Sequence, residues 1–310
     1  MRVEILLAAY NGGQYLPELL TSLSNQTEVD FSVLYQDDGS TDETPDLLSF
    51  MAEQDSRFHP GNEQGRHLGA IGNFISLIRQ STADLIFLCD QDDIWLPDKV
   101  ATLLDLYQKT GKKAPEGTPL LIHSDSIVVD ADNRKLAESF FQLQGWDPNA
   151  VTLNRLLVQN NVTGCTALLN RPLADLVARF GDPERMFMHD WFIALTAASF
   201  GRIVFCPQRL TRYRQHGGNA IGASQVSLIH RGLRALRARQ DAKARIALTF
   251  SHTLAFQQMF GSILPPEAEQ VIKDYLATQK LPKLRRIAAW RRQGTLMQSP
   301  VTRLGQYFFG

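Results

Sequence analysis

Asp90, Asp92 and Asp93 crowd the end of an apolar run over residues 85–89, with Asp98 a few positions on. Carboxylates this close raise one another's pKa and repel unless a cation or a hydrogen-bond donor relieves them. In an extended chain Asp90 and Asp92 project to the same side. A hard divalent cation suits such a pair, since Mg²⁺ takes one or two carboxylates and completes its shell with substrate phosphates and water. The run also reads as an acidic turn, with Asp93 as an N-cap of the following helix. Asp37 and Asp38 leave two readings open as well. With Gly39 and Ser40 they have the composition of a strand-to-helix turn, yet an Asp beside a crevice also accepts hydrogen bonds from a pyrimidine ring nitrogen or a ribose hydroxyl. Asp190, in Met188-His189-Asp190-Trp191, fits either a helix N-terminus, where the dipole favours a carboxylate, or a base that takes a proton from a hydroxyl. Arg214 and His216, followed by Gly217 and Gly218, suit a loop closing over a diphosphate. Arg214 forks onto phosphate oxygens in that reading, or pairs with an acidic neighbour, and His216 is either a ligand or a packed histidine.

Something must hold these groups together. Residues 3–9 are a short apolar run ending in Asn11-Gly12-Gly13, a buried strand and a turn. Leu16, Leu19, Leu20 and Leu23 then follow at helical spacing. A second strand over 31–35 stops at Asp37 and Asp38, and helices are expected over 41–51, 69–78 and 97–107. A third strand, 85–89, delivers Asp90. This alternation predicts an α/β sandwich with a mostly parallel central sheet. Ligands of such sheets sit beyond the carboxyl ends of the strands, and the polar clusters at 10–13, 37–40 and 90–93 all fall there. Later, 120–129 and 163–169 read as strands, 191–200 as a helix and 203–206 as a strand leading to Tyr213-Arg214-Gln215-His216. Past residue 223 the pattern changes to long Arg-rich helical stretches broken by Pro265-Pro266 and Pro282. The expected division is a catalytic domain over 1–223 and a helical region over 224–310.

Five segments carry a resemblance. Ala9-Tyr10-Asn11-Gly12, Asp37-Asp38-Gly39-Ser40-Thr41-Asp42, Asp90-Gln91-Asp92-Asp93, His189-Asp190-Trp191 and Tyr213-Arg214-Gln215-His216 resemble, in order and spacing, the family 2 glycosyltransferases of GT-A fold. The likeness covers roughly residues 1–220, and within the family it leans to bacterial rhamnosyltransferases of surface-polysaccharide (O-antigen or capsule) assembly. The resemblance implies donor-nucleotide binding by Ala9, Tyr10, Asn11, Asp38 and Asp90, with Asp38 on the uracil or thymine base and Asp90 near the ribose. It makes Asp92 the metal-ligand carboxylate, His216 a further metal or diphosphate ligand beside Arg214, and Asp190 the general base. It also implies a divalent cofactor (Mg²⁺ or Mn²⁺), a nucleotide-sugar donor, dTDP-rhamnose or a UDP-hexose, and a saccharide acceptor on a lipid carrier. The family often has Glu before the catalytic Asp, whereas here His189 precedes it.

Composition bounds the rest. The apolar and charged fractions are ordinary for a globular protein, which excludes disordered and fibrous classes. Formal net charge is zero, but residues 221–310 carry about +10 and the remainder about −10. Arg231, Arg234, Arg237, Arg239, Lys243 and Arg245 surround Leu233, Leu236 and Ile246. Lys283, Arg285, Arg286, Arg291 and Arg292 surround Ile287 and Trp290. Such helices either lie on anionic lipid, with Trp290 at the interface, or pack on the catalytic domain with a solvated basic face. Nucleic acid is a poor partner, for no binding motif accompanies the charge. Cys89, Cys165 and Cys206 lack ligand spacing and are expected to be buried thiols, as in a reducing compartment. No leader and no transmembrane run is expected, which places the chain in the cytoplasm, in contact with the inner face of the membrane at most. Of the rival readings, a nucleotidyltransferase would want a basic Gly-rich loop where this chain has Asp37–Asp42 type acidity. An inactive scaffold would not need Asp92 and Asp190. A dinucleotide oxidoreductase lacks its GxGxxG.

Overall fold

Val3–Ala9 (β1) alternates between two apolar environments, and that alternation builds the molecule. In the computed structural model, which describes residues 1–111, 113–216 and 231–310 (231–239 as backbone alone), Ile5, Leu7 and Ala9 face one cluster and Leu6 faces another. Leu16–Ser24 (α1) supplies the first cluster with Leu16, Leu19, Leu20 and Leu23, all buried. Each such leucine contributes about 1.5–3 kcal/mol of burial. Ser32–Asp37 (β2), Thr44–Gln54 (α2), Phe58–Pro60 (β3), Gly69–Gln80 (α3), Leu85–Asp90 (β4), Ile94–Trp95 (β5) and Lys99–Gly111 (α4) follow. Helix α2 starts later than expected because Asp42 accepts from the Thr44 amide at 3.1 Å and so closes the turn ahead of it.

The second half comprises Leu120–Val129 (β6), Lys135–Ala137 (β7), Phe140–Gln144 (α5), Leu153–Leu156 (α6), Ala167–Asn170 (β8), Arg171–Phe180 (α7), His189–Phe200 (α8) and Arg202–Arg214 (β9). The strands form one sheet in the order β3-β2-β1-β4-β8-β6-β9-β5, with β7 beside β6. The α/β architecture is as expected, and β3, β2, β1 and β4 run parallel. The sheet as a whole is mixed, however. Strand β8 is antiparallel to both β4 and β6. A parallel neighbour needs a crossover that returns the chain to the starting edge, and residues 130–166 make no such return before β8. Residues 164–166, expected in a strand, form a 3₁₀ turn.

Arg231–Phe260 (α9), Pro266–Ala277 (α10), Lys283–Gln293 (α11) and Pro300–Phe309 (α12) complete the chain. The expected boundary at 223/224 lies outside the described residues, as do Gly217 and Gly218, and the side chains of Arg231 to Arg239 are likewise outside them. Past it, Ile246, Phe250, Phe256 and Phe260 enter the same apolar cluster as α3, α7 and α8. Helix α8 is buried on every side, so its lack of amphipathic patterning is what a central helix requires. Trp290, placed at a lipid interface in one of its two readings, is fully buried, and its Nε1 donates to Thr278 Oγ1 at 3.0 Å. Burying the indole also requires a partner for that N–H. The three cysteines are free and buried, as expected. No helix among the described residues is long and apolar enough to cross a membrane.

Candidate active site

Register places the site. Ala9 pairs with Asp37, and Ala8 with Asp90, so the last residues of β2, β1 and β4 lie side by side at one edge of the parallel half. The loop after β1 is knitted into both neighbours. Asn11 adopts a left-handed conformation (φ 48°), donating its amide to Ser40 Oγ at 2.8 Å while its Oδ1 accepts from the Thr41 amide at 2.8 Å. Gln91 reaches back to Tyr10, accepting its amide proton at 2.5 Å and donating to its carbonyl at 2.7 Å. A Cβ on Gly12 would stand 2.5 Å from that Gln91 side chain, so the close approach needs glycine. Ala9 is buried, whereas the Tyr10 ring is exposed, 5.1 Å from the ring of His67.

Asp37 is the turn residue of its pair. Its carboxylate accepts from the amides of Gly39 and Ser40 at 3.1 and 3.0 Å and from the Ser40 hydroxyl. Asp38, expected on the nucleobase, is only 2% exposed. Its oxygens take the amides of Leu68 and Gly69 at 2.5 and 2.9 Å, with His67 Nδ1 at 3.1 Å. In this structure Asp38 therefore fixes residues 67–69 as one wall of the crevice.

The three carboxylates of the second cluster, Asp90, Asp92 and Asp93, differ sharply in environment. Asp92 sits at the rim, where its Oδ2 meets His216 Nε2 at 2.8 Å. Asp93 is buried, and its Oδ1 accepts the Arg214 amide at 3.0 Å. Burial, then the charge on Asp92, pushes the Asp93 carboxyl up. Burial, then Asp93, Asp92 and Asp190, does the same to Asp90 more strongly. Asp190 is thus near enough for its charge to act on Asp90. Under them lies Lys99, fully buried, its ammonium 3.4 Å above the Trp95 ring and donating to the Cys165 carbonyl at 2.5 Å. Burial lowers its pKa, while the anionic neighbours oppose the change. A buried cation beside two buried carboxylates offsets a repulsion that would otherwise cost the fold several kcal/mol.

Asp190 opens α8, near the positive end of its dipole. Burial pushes its carboxyl up to about 6, against hydrogen bonds from the amides of Trp191 and Gly164 and the side chain of Asn160. Its neighbour His189 is buried and stacked on Phe74 with ring centroids 4.2 Å apart. Burial lowers His189 to about 4, so at neutral pH it is an uncharged wedge under the first turn of α8. Gly164 packs closely beneath it, and an added Cβ would lie 3.0 Å from His189 Nε2, so the ring would have to shift.

Arg214 pairs with an acidic neighbour, the second of its two readings from sequence. Its side chain is 2% exposed. Nε donates to the Asp92 carbonyl at 2.8 Å, one terminal nitrogen to the Ala131 carbonyl at 2.6 Å, and the other to Glu18. Through these two carbonyls and the Glu18 carboxylate the guanidinium holds the Asp92–Asp93 turn. Tyr15 packs on both members of this segment, 4.7 Å from the Arg214 guanidinium and 4.7 Å from the His216 ring.

Ala9, Tyr10, Asn11, Asp38 and Asp90 thus lie together at the ends of β1, β2 and β4, Asp92 meets His216, and Asp190 is near enough for its charge to act on Asp90. Lys99, Gln91, Tyr15 and Asn160 were not singled out by sequence. For Lys99 a signal existed, because three clustered aspartates demand a counter-charge and Lys99 is the first cation after them.

Oxygen or sulfur atoms of Asp90, Asp93 and Cys165 also lie within 4.8 Å of one another. A divalent ion there would face the Lys99 ammonium and a thiol that burial keeps protonated. Asp92 and His216, at the rim and already in contact, are the better matched pair for a cation.

Residues 4–137 match the profile of Glycosyl transferase family 2. The chain is similar to dTDP-rhamnosyl transferase RfbG of Shigella flexneri, 25% identical over 231 residues, covering 70% of this chain and 74% of that one. It is similar also to the UDP-Glc:alpha-D-GlcNAc-diphosphoundecaprenol beta-1,3-glucosyltransferase WfgD of Escherichia coli, 27% identical over 172 residues, 55% of this chain and 61% of that one. Among solved structures, S. aureus TarS 1-349 in complex with UDP-GlcNAc shares the fold, with a TM-score of 0.58 at 15% identity, covering 99% of this chain and 89% of that one. The resemblance to family 2 glycosyltransferases of GT-A fold expected from the five motifs holds.

Proposed function

We propose, for a chain that is a glycosyltransferase with a family 2 domain over residues 4–137, that it moves rhamnose from dTDP-rhamnose onto a lipid-linked saccharide in cell-surface polysaccharide assembly, inverting the anomeric centre. The observation that carries this reading is Asp190, a half-buried carboxylate in the first turn of α8, held by the amides of Trp191 and Gly164, pushed up to about 6 and close enough to Asp90 for its charge to act there. The acceptor hydroxyl attacks the anomeric carbon, the bond from that carbon to the diphosphate oxygen breaks, and the proton goes to Asp190. At neutral pH Asp190 is ionised and more basic than an exposed carboxylate, which favours proton transfer. No second carboxylate is needed, because a single displacement leaves no covalent intermediate.

The nucleoside lies along Ala9, Tyr10 and Asn11, with its base between the Tyr10 side and the wall that Asp38 holds at His67 to Gly69, and its ribose toward Asp90. Asp92 and His216 hold a divalent cation, Mg²⁺ or Mn²⁺. That ion would neutralise charge on the departing diphosphate. Arg214 acts behind them, fixing the Asp92 backbone. The similar proteins support the donor and acceptor classes by their names, one a dTDP-rhamnosyl transferase and one acting on a diphosphoundecaprenol-linked sugar. The second name also favours a UDP-hexose as the alternative donor. A lipid-linked acceptor places the work at the inner face of the cytoplasmic membrane.

The test is a calorimetric panel of dTDP-rhamnose, UDP-glucose, UDP-galactose and GDP-mannose, each with Mn²⁺ and with EDTA. Metal-dependent binding of dTDP-rhamnose is expected. Preference for a UDP-sugar would replace the donor, and binding of none would overturn the reading.

A further inference from the structure

Helix α12 turns an apolar stripe to solvent. Val301, Leu304 and Phe308, at helical spacing on one face, are 79%, 53% and 64% exposed. Leu284, in the first turn of α11, is 81% exposed. The two patches adjoin, since Lys283 Nζ donates to the Phe308 carbonyl at 2.6 Å. Isolated exposed leucines are ordinary, but four large apolar groups on adjoining helix faces mark a surface that meets something.

Charge says what it meets. From Tyr275 to the end the chain carries seven cations, Lys280, Lys283, Arg285, Arg286, Arg291, Arg292 and Arg303, and no Asp or Glu. Arg286, Arg303 and Lys283 donate to main-chain carbonyls and Arg291 to the Tyr307 hydroxyl, and Lys280, Lys283, Arg285, Arg291 and Arg292 are exposed. A second copy of this chain docking face to face would bring like charges together. An acidic apolar interface satisfies both features at once, and an anionic bilayer surface is one.

We propose that the α11–α12 face, with Leu284, Val301, Leu304 and Phe308 entering the headgroup boundary and the surrounding cations on lipid phosphates, docks the enzyme on anionic phospholipid. This rests on the reading that the acceptor is lipid-linked, and it assigns the contact to side chains other than Trp290. The face is tied to the base. Gln298, one residue before the Ser299 cap of α12, donates to Asn161 Oδ1 at 2.9 Å and accepts the Asp147 amide at 2.7 Å. The adjacent Asn160 is a hydrogen-bond partner of Asp190. The membrane face therefore shares a frame with the side of the crevice where a lipid-borne hydroxyl must arrive.

The test is flotation of the full chain with vesicles of phosphatidylcholine alone or with added phosphatidylglycerol, at low and high salt. The chain is expected to float with the anionic vesicles and to be released by salt. Leu304→Glu with Phe308→Glu, and separately Arg285→Glu with Arg292→Glu, are each expected to lower partitioning roughly tenfold or more. All four side chains are on the surface, so circular dichroism and donor calorimetry should be unchanged. Equal binding to both vesicle types, no binding, or full binding by both variant pairs would overturn the proposal. So would a dimer in light scattering that Leu304→Glu dissolves. Vesicle binding needs no donor, so a chain that floats as expected yet binds no nucleotide sugar would sink the donor assignment and leave the docking face standing.

Discussion

His216 Nε2 and Asp92 Oδ2 meet at 2.8 Å across 124 residues of sequence, joining the end of β9 to the turn after β4. In the proposed reading neither the strand end nor the turn would make a cation site alone, and their contact would. Asp92→Asn and His216→Ala are each expected to weaken Mn²⁺-dependent donor binding by about tenfold or more while leaving the EDTA value unchanged. Because both act on one ion, the double variant should cost less than the product of the singles. Calorimetry with and without metal checks this, and fully multiplicative losses would place the two residues on different ligands.

Asp190 must be ionised to accept a proton, so the transfer rate is expected to fall as pH drops through about 6, the value to which burial raises it. Steady-state rates from pH 5 to 8 test this. A rate independent of pH through that window would speak against Asp190 as base.

The same shift has a stability consequence of opposite sign. A carboxyl whose pKa is higher folded than unfolded favours the native state most at low pH, and loses that contribution as pH rises from its ordinary 3.8 to about 6. Asp190→Asn removes the buried charge and is expected to stabilise the protein at pH 8 by up to about 3 kcal/mol. Urea unfolding reads this directly, and a destabilised variant would contradict it.

Lys99 lies beneath Asp90 and Asp93 and stacks on Trp95. Lys99→Met leaves two buried carboxylates without their cation and is expected to cost about 3–5 kcal/mol. Lys99→Met with Asp93→Asn should recover part of the loss, a coupling that a merely space-filling lysine would not show.

Gly164 sits under His189 and donates its amide to Asp190. Gly164→Ala is expected to push His189 off Phe74 and move the base, lowering kcat by about tenfold or more with little change in donor affinity. A loss confined to KM would contradict that placement.

Sequence patterning disclosed much of this and missed the rest for definable reasons. Strands β1, β2 and β4 were legible because each is an apolar run that stops at a polar cluster, and their parallel register follows from the helices between them. The motif residues were legible because turns at strand ends tolerate few residue types. The direction of strand β8 was not legible, since four apolar residues carry no polarity signal. Two readings stayed open for Arg214 and Trp290 for a shared reason. A basic or aromatic residue in a polar neighbourhood looks exposed until the carbonyls that take its protons are located, Asp92 and Ala131 for the first and the Thr278 hydroxyl for the second.

The most direct test of the central claim is donor turnover by Asp190→Asn. Sugar transfer from dTDP-rhamnose, followed by release of dTDP, is expected to fall about 10²–10⁴-fold, while calorimetry shows the donor bound with Mn²⁺ as tightly as by the parent chain. Undiminished transfer, or donor binding lost along with it in a folded protein, would contradict the assignment of Asp190 as the base.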